Sequence, residues 1–181
     1  MDMERNKRWI NVSLSLGKIE AFFVPTIQGL GRLDSELIVE DDRFCELSLE
    51  EVSTIDESLR LTDRFTYSYL WVLGLYELVR TLDDRCRNNF KFLGSDLNDK
   101  VKELKNKIGR LRVPLAKMEP SKKYEKIDSP IAYPAIHRTF GISWHISNMV
   151  YISRRELSDD TLSLFEEIYR RFEIGGCPKR D

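Results

Sequence analysis

Hydrophobic and polar positions alternate from Trp9 to Leu16: Ile10, Val12, Leu14 and Leu16 fall on one side, and Asn11, Ser13 and Ser15 on the other. A period of two predicts a half-buried strand. Gly17-Lys18 has glycine first, as a type II′ hairpin turn requires. Ile19 to Val24 returns as a second strand until Pro25, which cannot donate to a ladder. The pattern therefore predicts a β-hairpin over residues 9–24, followed by a loop at Gly29-Leu30-Gly31.

The period then lengthens. Ser48-Leu49-Glu50-Glu51 reads as a capping box, and Leu49, Val52, Ile55 and Leu59 follow at helical spacing. Phe65 to Leu82 is apolar nearly all round, which marks the central and most buried helix. Asn88-Asn89 and Gly94 stop it. Ser95-Asp96 caps the next helix, whose seam of Leu97, Val101, Leu104, Ile108 and Leu111 runs until Pro114. Pro120 to Pro134 reads as a loop. Alternation resumes at Ile142, Trp144 and Ile146, with Ser143, His145 and Ser147 opposite, and Met149 to Ile152 is the expected partner strand. Ser158-Asp159-Asp160 caps a last helix carried by Leu162, Phe165, Ile168, Tyr169 and Phe172, and Gly175-Gly176 ends it. The expected architecture is α+β in a single domain, 1–181. Two or three central helices (48–113) and a C-terminal helix pack on a small antiparallel sheet, built from the N-terminal hairpin and the strand pair of the 141–174 segment.

Composition narrows the class. Apolar residues make up 41% of the 181 positions, enough for a core, so a disordered chain is excluded. The balance of 29 basic and 30 acidic residues leaves no net field to draw the molecule onto DNA or a membrane. Phe65 to Val79, the most apolar window, is shorter than the roughly 20 residues a membrane span needs. Cys45, Cys86 and Cys177 are far apart and lack CxxC spacing, which fits a reducing compartment; with a charged start and no leader pattern, a cytoplasmic location is expected.

Charge is unevenly spread. Residues 33–63 hold eleven acids against Arg43 and Arg60, a local balance of −9. Residues 91–126 hold eleven bases against five acids, a balance of +6. Lys100, Lys102, Lys105, Lys107, Arg110 and Arg112, with Lys122 and Lys123 beyond, are candidate phosphate contacts, although Tyr124 is the one aromatic nearby for base stacking. The alternative is a solvated helix whose lysines meet the acids of 33–63, within one molecule or across a dimer.

Two histidines, His137 and His145, cannot make a zinc site at their spacing, so no metal or cofactor is expected. Six residues separate Arg138 from His145, which resembles the loose arginine–histidine signature of HEPN-type ribonucleases. That resemblance implies His145 as general acid or base and Arg138 stabilising phosphorane charge. HEPN motifs lie at a helix start, whereas alternation sets this pair in a strand. Glu77, inside the apolar helix, would titrate high and serve as an acid or base if left unpaired; Arg80 at i+3 is its natural partner. A pocket lined by Trp9, Trp71 and Trp144 is a third possibility, with an aromatic count ordinary for a core. The expected function is a non-enzymatic interaction protein, a homo-oligomer or complex subunit, working through its acidic and basic segments. RNA binding or metal-independent RNA cleavage at Arg138 and His145 is the alternative.

Overall fold

The computed structural model describes residues 1–88 and 93–175, with side chains described to Phe172. Asn89, Lys91, Gly176 and Cys177, which figure in the sequence reading, lie outside the described residues. The described elements are α1 (Met3–Leu16), α2 (Phe23–Glu46), α3 (Leu49–Val52), α4 (Ile55–Asn88), α5 (Ser95–Lys117), a 3-10 turn (Lys122–Tyr124), β1 (Tyr133–His137), β2 (Gly141–Ser147), β3 (Val150–Ser153) and α6 (Arg154–Gly175). The three strands form one antiparallel sheet in the order β1-β2-β3. The fold is α+β, with the C-terminal helix packed on the sheet and the other helices.

The expected N-terminal hairpin is absent; residues 9–16 end α1, 17–22 form a turn and 23–24 open α2. Trp9, Val12, Ser13 and Leu16 are buried while Ile10 and Leu14 are exposed, so helical spacing decides the buried face and the alternation is incidental. Asp2 caps α1 by accepting from the Arg5 amide at 3.0 Å. Pro25 sits in the first turn of α2, where its missing N–H has no intrahelical acceptor to lose. Gly29 and Gly31 lie inside α2 and do not form a loop. Gly31 is where α1 crosses: a Cβ there would stand 2.2 Å from the Trp9 Cβ.

The central helix is where the sequence places it. Trp71, Val72, Leu75, Val79 and Leu82 of α4 form the middle of the core, against Leu97, Val101, Ile108 and Leu111 of α5 and Phe165 and Ile168 of α6. The Ser48 capping box is formed and opens α3. Helix α5 runs through Pro114 to Lys117 and stops at Met118, whose φ is 55°. The start of α6 also differs from the expectation. Ser153 and Glu156 make a capping box directly after β3, so Ser158 lies a turn inside the helix.

The sheet replaces the missing hairpin with a strand from the expected loop. Tyr133 to His137 pairs with β2 in the register Tyr133↔His145 and His137↔Gly141. A three-residue loop, 138–140, joins them, and Gly141 closes it at φ 66°. Ile142, Trp144 and Ile146 face the core. Gly141 is pressed against α2, where a Cβ would come within 2.2 Å of the Asp41 carboxyl carbon.

Candidate functional site

The basic helix is largely neutralised, and by acids other than those of 33–63. Along the antiparallel α5–α6 seam Asp96 pairs with Arg171 at 2.6 Å, Lys100 with Glu167 at 2.7 Å and Lys107 with Asp160 at 2.5 Å. The Arg171 guanidinium holds the Asp96 carboxyl down to about 2. On the other flank Lys105 meets the buried Asp83, and Arg110 chelates Asp128 through two bonds of 2.7 and 2.8 Å. Arg112 lies 3.8 Å from Glu77 and over the Tyr76 ring. Among the described residues Lys102 and Lys122 make no ion pair; Lys123 has none either and reaches the Tyr124 ring.

Seven of the eleven acids of 33–63 are paired with arginines, while Glu46, Glu50, Glu51 and Asp63 make no ion pair among the described residues. Glu36 pairs with Arg32, Glu40 and Glu57 with Arg43, Asp56 with Arg60, and Asp42 with Arg155. Asp34 and Asp41 are fully buried beside Arg154, which is fully buried too; it donates to Asp34 at 2.5 Å and to Asp41 at 2.9 Å. Asp34 also accepts from Arg5 at 2.5 Å and from the Trp9 indole at 2.9 Å. Both of its oxygens are bonded, and this cluster ties α1, α2 and α6 together in the way buried ion networks specify packing. The signal for it was present in the sequence: Asp34 and Asp41 continue the Ile27, Gly31, Ile38 stripe of α2, so both acids point inward.

Arg138 and His145 are not brought together. Arg138 is exposed in the hairpin loop, whereas four residues, roughly 13 Å of strand at about 3.3 Å per residue, separate His145 from Gly141 at that end of β2. His145 is half-buried and stacks on Tyr151 at a centroid distance of 4.5 Å. His137 accepts from the Thr139 amide at 3.1 Å, a hairpin contact. Glu77 is half exposed and takes Arg80 at 2.7 Å, the pairing that its i+3 spacing predicts. Trp9, Trp71 and Trp144 are core residues, each at most 2% exposed. Among the described residues no group of three or more His, Cys, Asp or Glu could hold a metal ion, and no helix is long and apolar enough to cross a membrane.

What the structure assembles instead is the outer surface of the sheet. Tyr133, His145 and Tyr151 are register partners on adjacent strands and form a row on one face. Tyr133 is 52% exposed, Tyr151 56%, and Met149 in the β2–β3 turn 89%. Ile127 and Ile131, in the lead-in to β1, are exposed as well. Strand β1 overhangs the helices, so Ile136 is exposed although it shares a face with the buried Ile142. β1 is hard to read from the sequence because Pro130 precedes it and Pro134 lies within it; the Tyr133, Ala135, His137 alternation is the available signal. Compared with protein families, curated proteins and solved structures, the chain matches none of them.

Proposed function

We propose that the protein is a non-enzymatic interaction protein that docks through this sheet surface, and that the partner is a second copy of the chain. The observation that supports it is the exposed Tyr133 and Tyr151 aligned on either side of His145 across the sheet, with the exposed Ile127 and Met149 brought together beside the β2–β3 turn. Tyrosine and methionine are the residues interface centres favour, and a contiguous apolar patch on a soluble fold marks a contact site. The border supplies unpaired charges of both signs: Glu125 and Lys126 make no ion pair among the described residues. Across a two-fold axis the Glu125 of one copy meets the Lys126 of the other, the self-complementarity an isologous contact requires. The acidic and basic segments then serve the interior of each protomer, and docking falls to the sheet.

RNA binding is the second reading, favoured by one observation. Lys107, Arg110 and Lys123 line a cavity of about 380 Å³ together with Tyr124 and Tyr151, cations beside stacking rings. It ranks lower because Asp160 and Asp128 already neutralise Lys107 and Arg110. Size-exclusion chromatography with light scattering and absorbance at two wavelengths separates the two. A dimer mass without nucleic-acid absorbance, reduced to a monomer by Met149→Glu/Tyr151→Glu with an unchanged melt, supports docking through the sheet. A monomer at every concentration sinks it. Co-eluting nucleic acid, lost in Lys122→Glu/Lys123→Glu, supports the RNA reading instead.

A further inference from the structure

Helix α4 outruns the helix beside it. Lys105 of α5 meets Asp83, a Cβ on Gly109 would stand 3.2 Å from the Tyr76 ring, and Arg112 lies 3.8 Å from Glu77, so the two helices run antiparallel. Helix α5 ends at Lys117, little more than a turn past Arg112, whereas α4 reaches back from Glu77 to Ile55. Roughly 25 Å of α4 therefore lies beyond the end of α5, at about 1.5 Å per residue. The inner side of this stretch is held by α2, through the Arg43–Glu57 and Asp41–Arg64 pairs and the Trp71 indole on the Leu30 carbonyl. Its outer side carries Ile55, Leu59, Thr62, Thr66 and Leu70, whose steps of three or four residues set them in one stripe.

That stripe is apolar and open. Ile55 is 82% exposed, Leu59 62% and Leu70 52%. Thr62 and Thr66 are exposed too, but their hydroxyls donate at 3.0 Å to the Ser58 and Thr62 carbonyls one turn back, so each is engaged with its own helix. No charged residue enters the stripe between Ile55 and Leu70, in a chain that is 33% charged. The free charge beside it is of one sign. Asp63, one turn from Leu59, makes no ion pair among the described residues, and neither do Glu46, Glu50 and Glu51 just ahead of α4. Arg60 is the single base between residues 46 and 63, and Asp56 holds it at 3.1 Å.

We propose that this outer face of α4 docks a basic amphipathic helix of a different protein. The apolar residues of that helix lie along Ile55, Leu59 and Leu70, and its lysines or arginines meet Asp63 and the acids of 46–51. The partner is helical because α4 offers an uncharged ridge and no free backbone. A helix satisfies its own N–H and C=O groups and packs ridge into groove, whereas an extended segment finds no strand edge here. The partner is basic because the acids at this end are the ones that pairing within the molecule leaves over. A second copy is disfavoured for the same reason, since two such faces would bring their unpaired acids together with no free base between them. Docking here is independent of the sheet surface, so either can fail without the other.

Fluorescence anisotropy of the full chain with labelled helical peptides of about 18 residues, long enough to span the stripe, tests the face. The probe peptide carries leucines along one face and lysines on the rest. One control replaces every lysine with glutamate, and another scatters the same leucines around the helix. The lysine peptide binds, more weakly as salt rises, and each control binds roughly tenfold more weakly or worse. Leu59→Asn/Leu70→Asn, two exposed changes that leave the thermal melt unchanged, weakens the lysine peptide about tenfold or more. Asp63→Lys weakens it several-fold and flattens the salt dependence, while Leu14→Asn, at a 58% exposed position on α1, changes nothing. No binding of the lysine peptide overturns the proposal. So does binding that Leu59→Asn/Leu70→Asn leaves unaltered, or that the glutamate peptide matches. Light scattering supplies the remaining arm: a dimer that Leu59→Asn/Leu70→Asn converts to a monomer assigns the face to a second copy, which overturns the proposal as well.

Discussion

Two glycines show how one residue type serves opposite roles. Gly29 sits inside α2 with no neighbour within 4 Å of where a Cβ would be, so it contributes only backbone entropy to the unfolded state. Gly29→Ala should stabilise the protein by about 0.5–1 kcal/mol. Gly141 combines φ 66° with a Cβ position 2.2 Å from the Asp41 carboxyl carbon, so Gly141→Ala should destabilise by about 2 kcal/mol or more. Urea midpoints moving in opposite directions would bear this out; equal shifts would mean the hairpin does not rest on Asp41. The cysteines make a second residue-scale case. Burial, reinforced by the nearby Asp83, pushes the Cys86 thiol up from its ordinary 9.0 to about 12. The folded state therefore keeps a proton that the unfolded chain releases first. Stability linked to this thiol is intact below about pH 9 and falls as the pH rises toward 12. Thiol labelling of the native protein at neutral pH should modify the exposed Cys45 and spare Cys86, with Cys86 reacting on unfolding. Prompt labelling of Cys86 in the native state would refute its burial.

At the level of elements, α5 and the β2–β3 hairpin were legible because one period dominates each, and the middle of α4 because it is apolar nearly all round, whereas the Leu49, Ile55 and Leu59 spacing that suggested the first helix is exposed and interrupted after Val52. The Leu97 to Leu111 seam reads only as a helix, and Ile142, Trp144 and Ile146 only as a strand. The N-terminus was not legible by alternation because two periods overlap there. Residues 10, 12, 14 and 16 alternate, but 9, 12, 13 and 16 form the buried stripe, and Trp9 with its Gly31 seat outweighs Ile10 and Leu14. The charged candidates were visible as residues, whereas their partners depended on which helices lie side by side. Nothing local in Lys100 or Lys107 announces Glu167 or Asp160. Local caps are legible, provided the right one is chosen. Ser153 and Glu156 cap α6 reciprocally, with the Ser153 hydroxyl donating to Glu156 at 2.8 Å and accepting from its amide at 3.1 Å. Ser153→Ala should cost about 1 kcal/mol, measured as a lowered denaturant midpoint. Ser48→Ala, which uncaps the four-residue and unburied α3, should lower the midpoint less. A larger effect at Ser48 would mean α3 is more integral than its exposure indicates.

Across the whole molecule, the hydrophobic core and the buried charges do different work. The core joins α4, α5 and α6 beneath the sheet, while Arg154 fastens the first turn of α6 to two turns of α2 and, through Asp34, to Arg5 and Trp9 of α1. Asp41 is the hinge of this arrangement, because it contacts Gly141 of the sheet as well as Arg154 and Arg64. Removing one member strands the others. Arg154→Met leaves Asp34 with Arg5 and Trp9, but leaves Asp41 buried with Arg64 alone, at 3.2 Å. That should cost about 3–5 kcal/mol, a large part of the roughly 5–15 kcal/mol that holds a domain of this kind together. Asparagine at 41 keeps the shape that Gly141 requires and takes away the charge. Because Asp41 bridges Arg154 and Arg64, Arg154→Met/Asp41→Asn should lose less stability than the two single substitutions added together, although each is damaging by itself. A double-mutant cycle in urea reads the coupling directly. Additive losses would show that Arg154 acts by packing over Trp71, 5.8 Å from its ring, and that charge at Asp41 plays no part in holding α2 to α6.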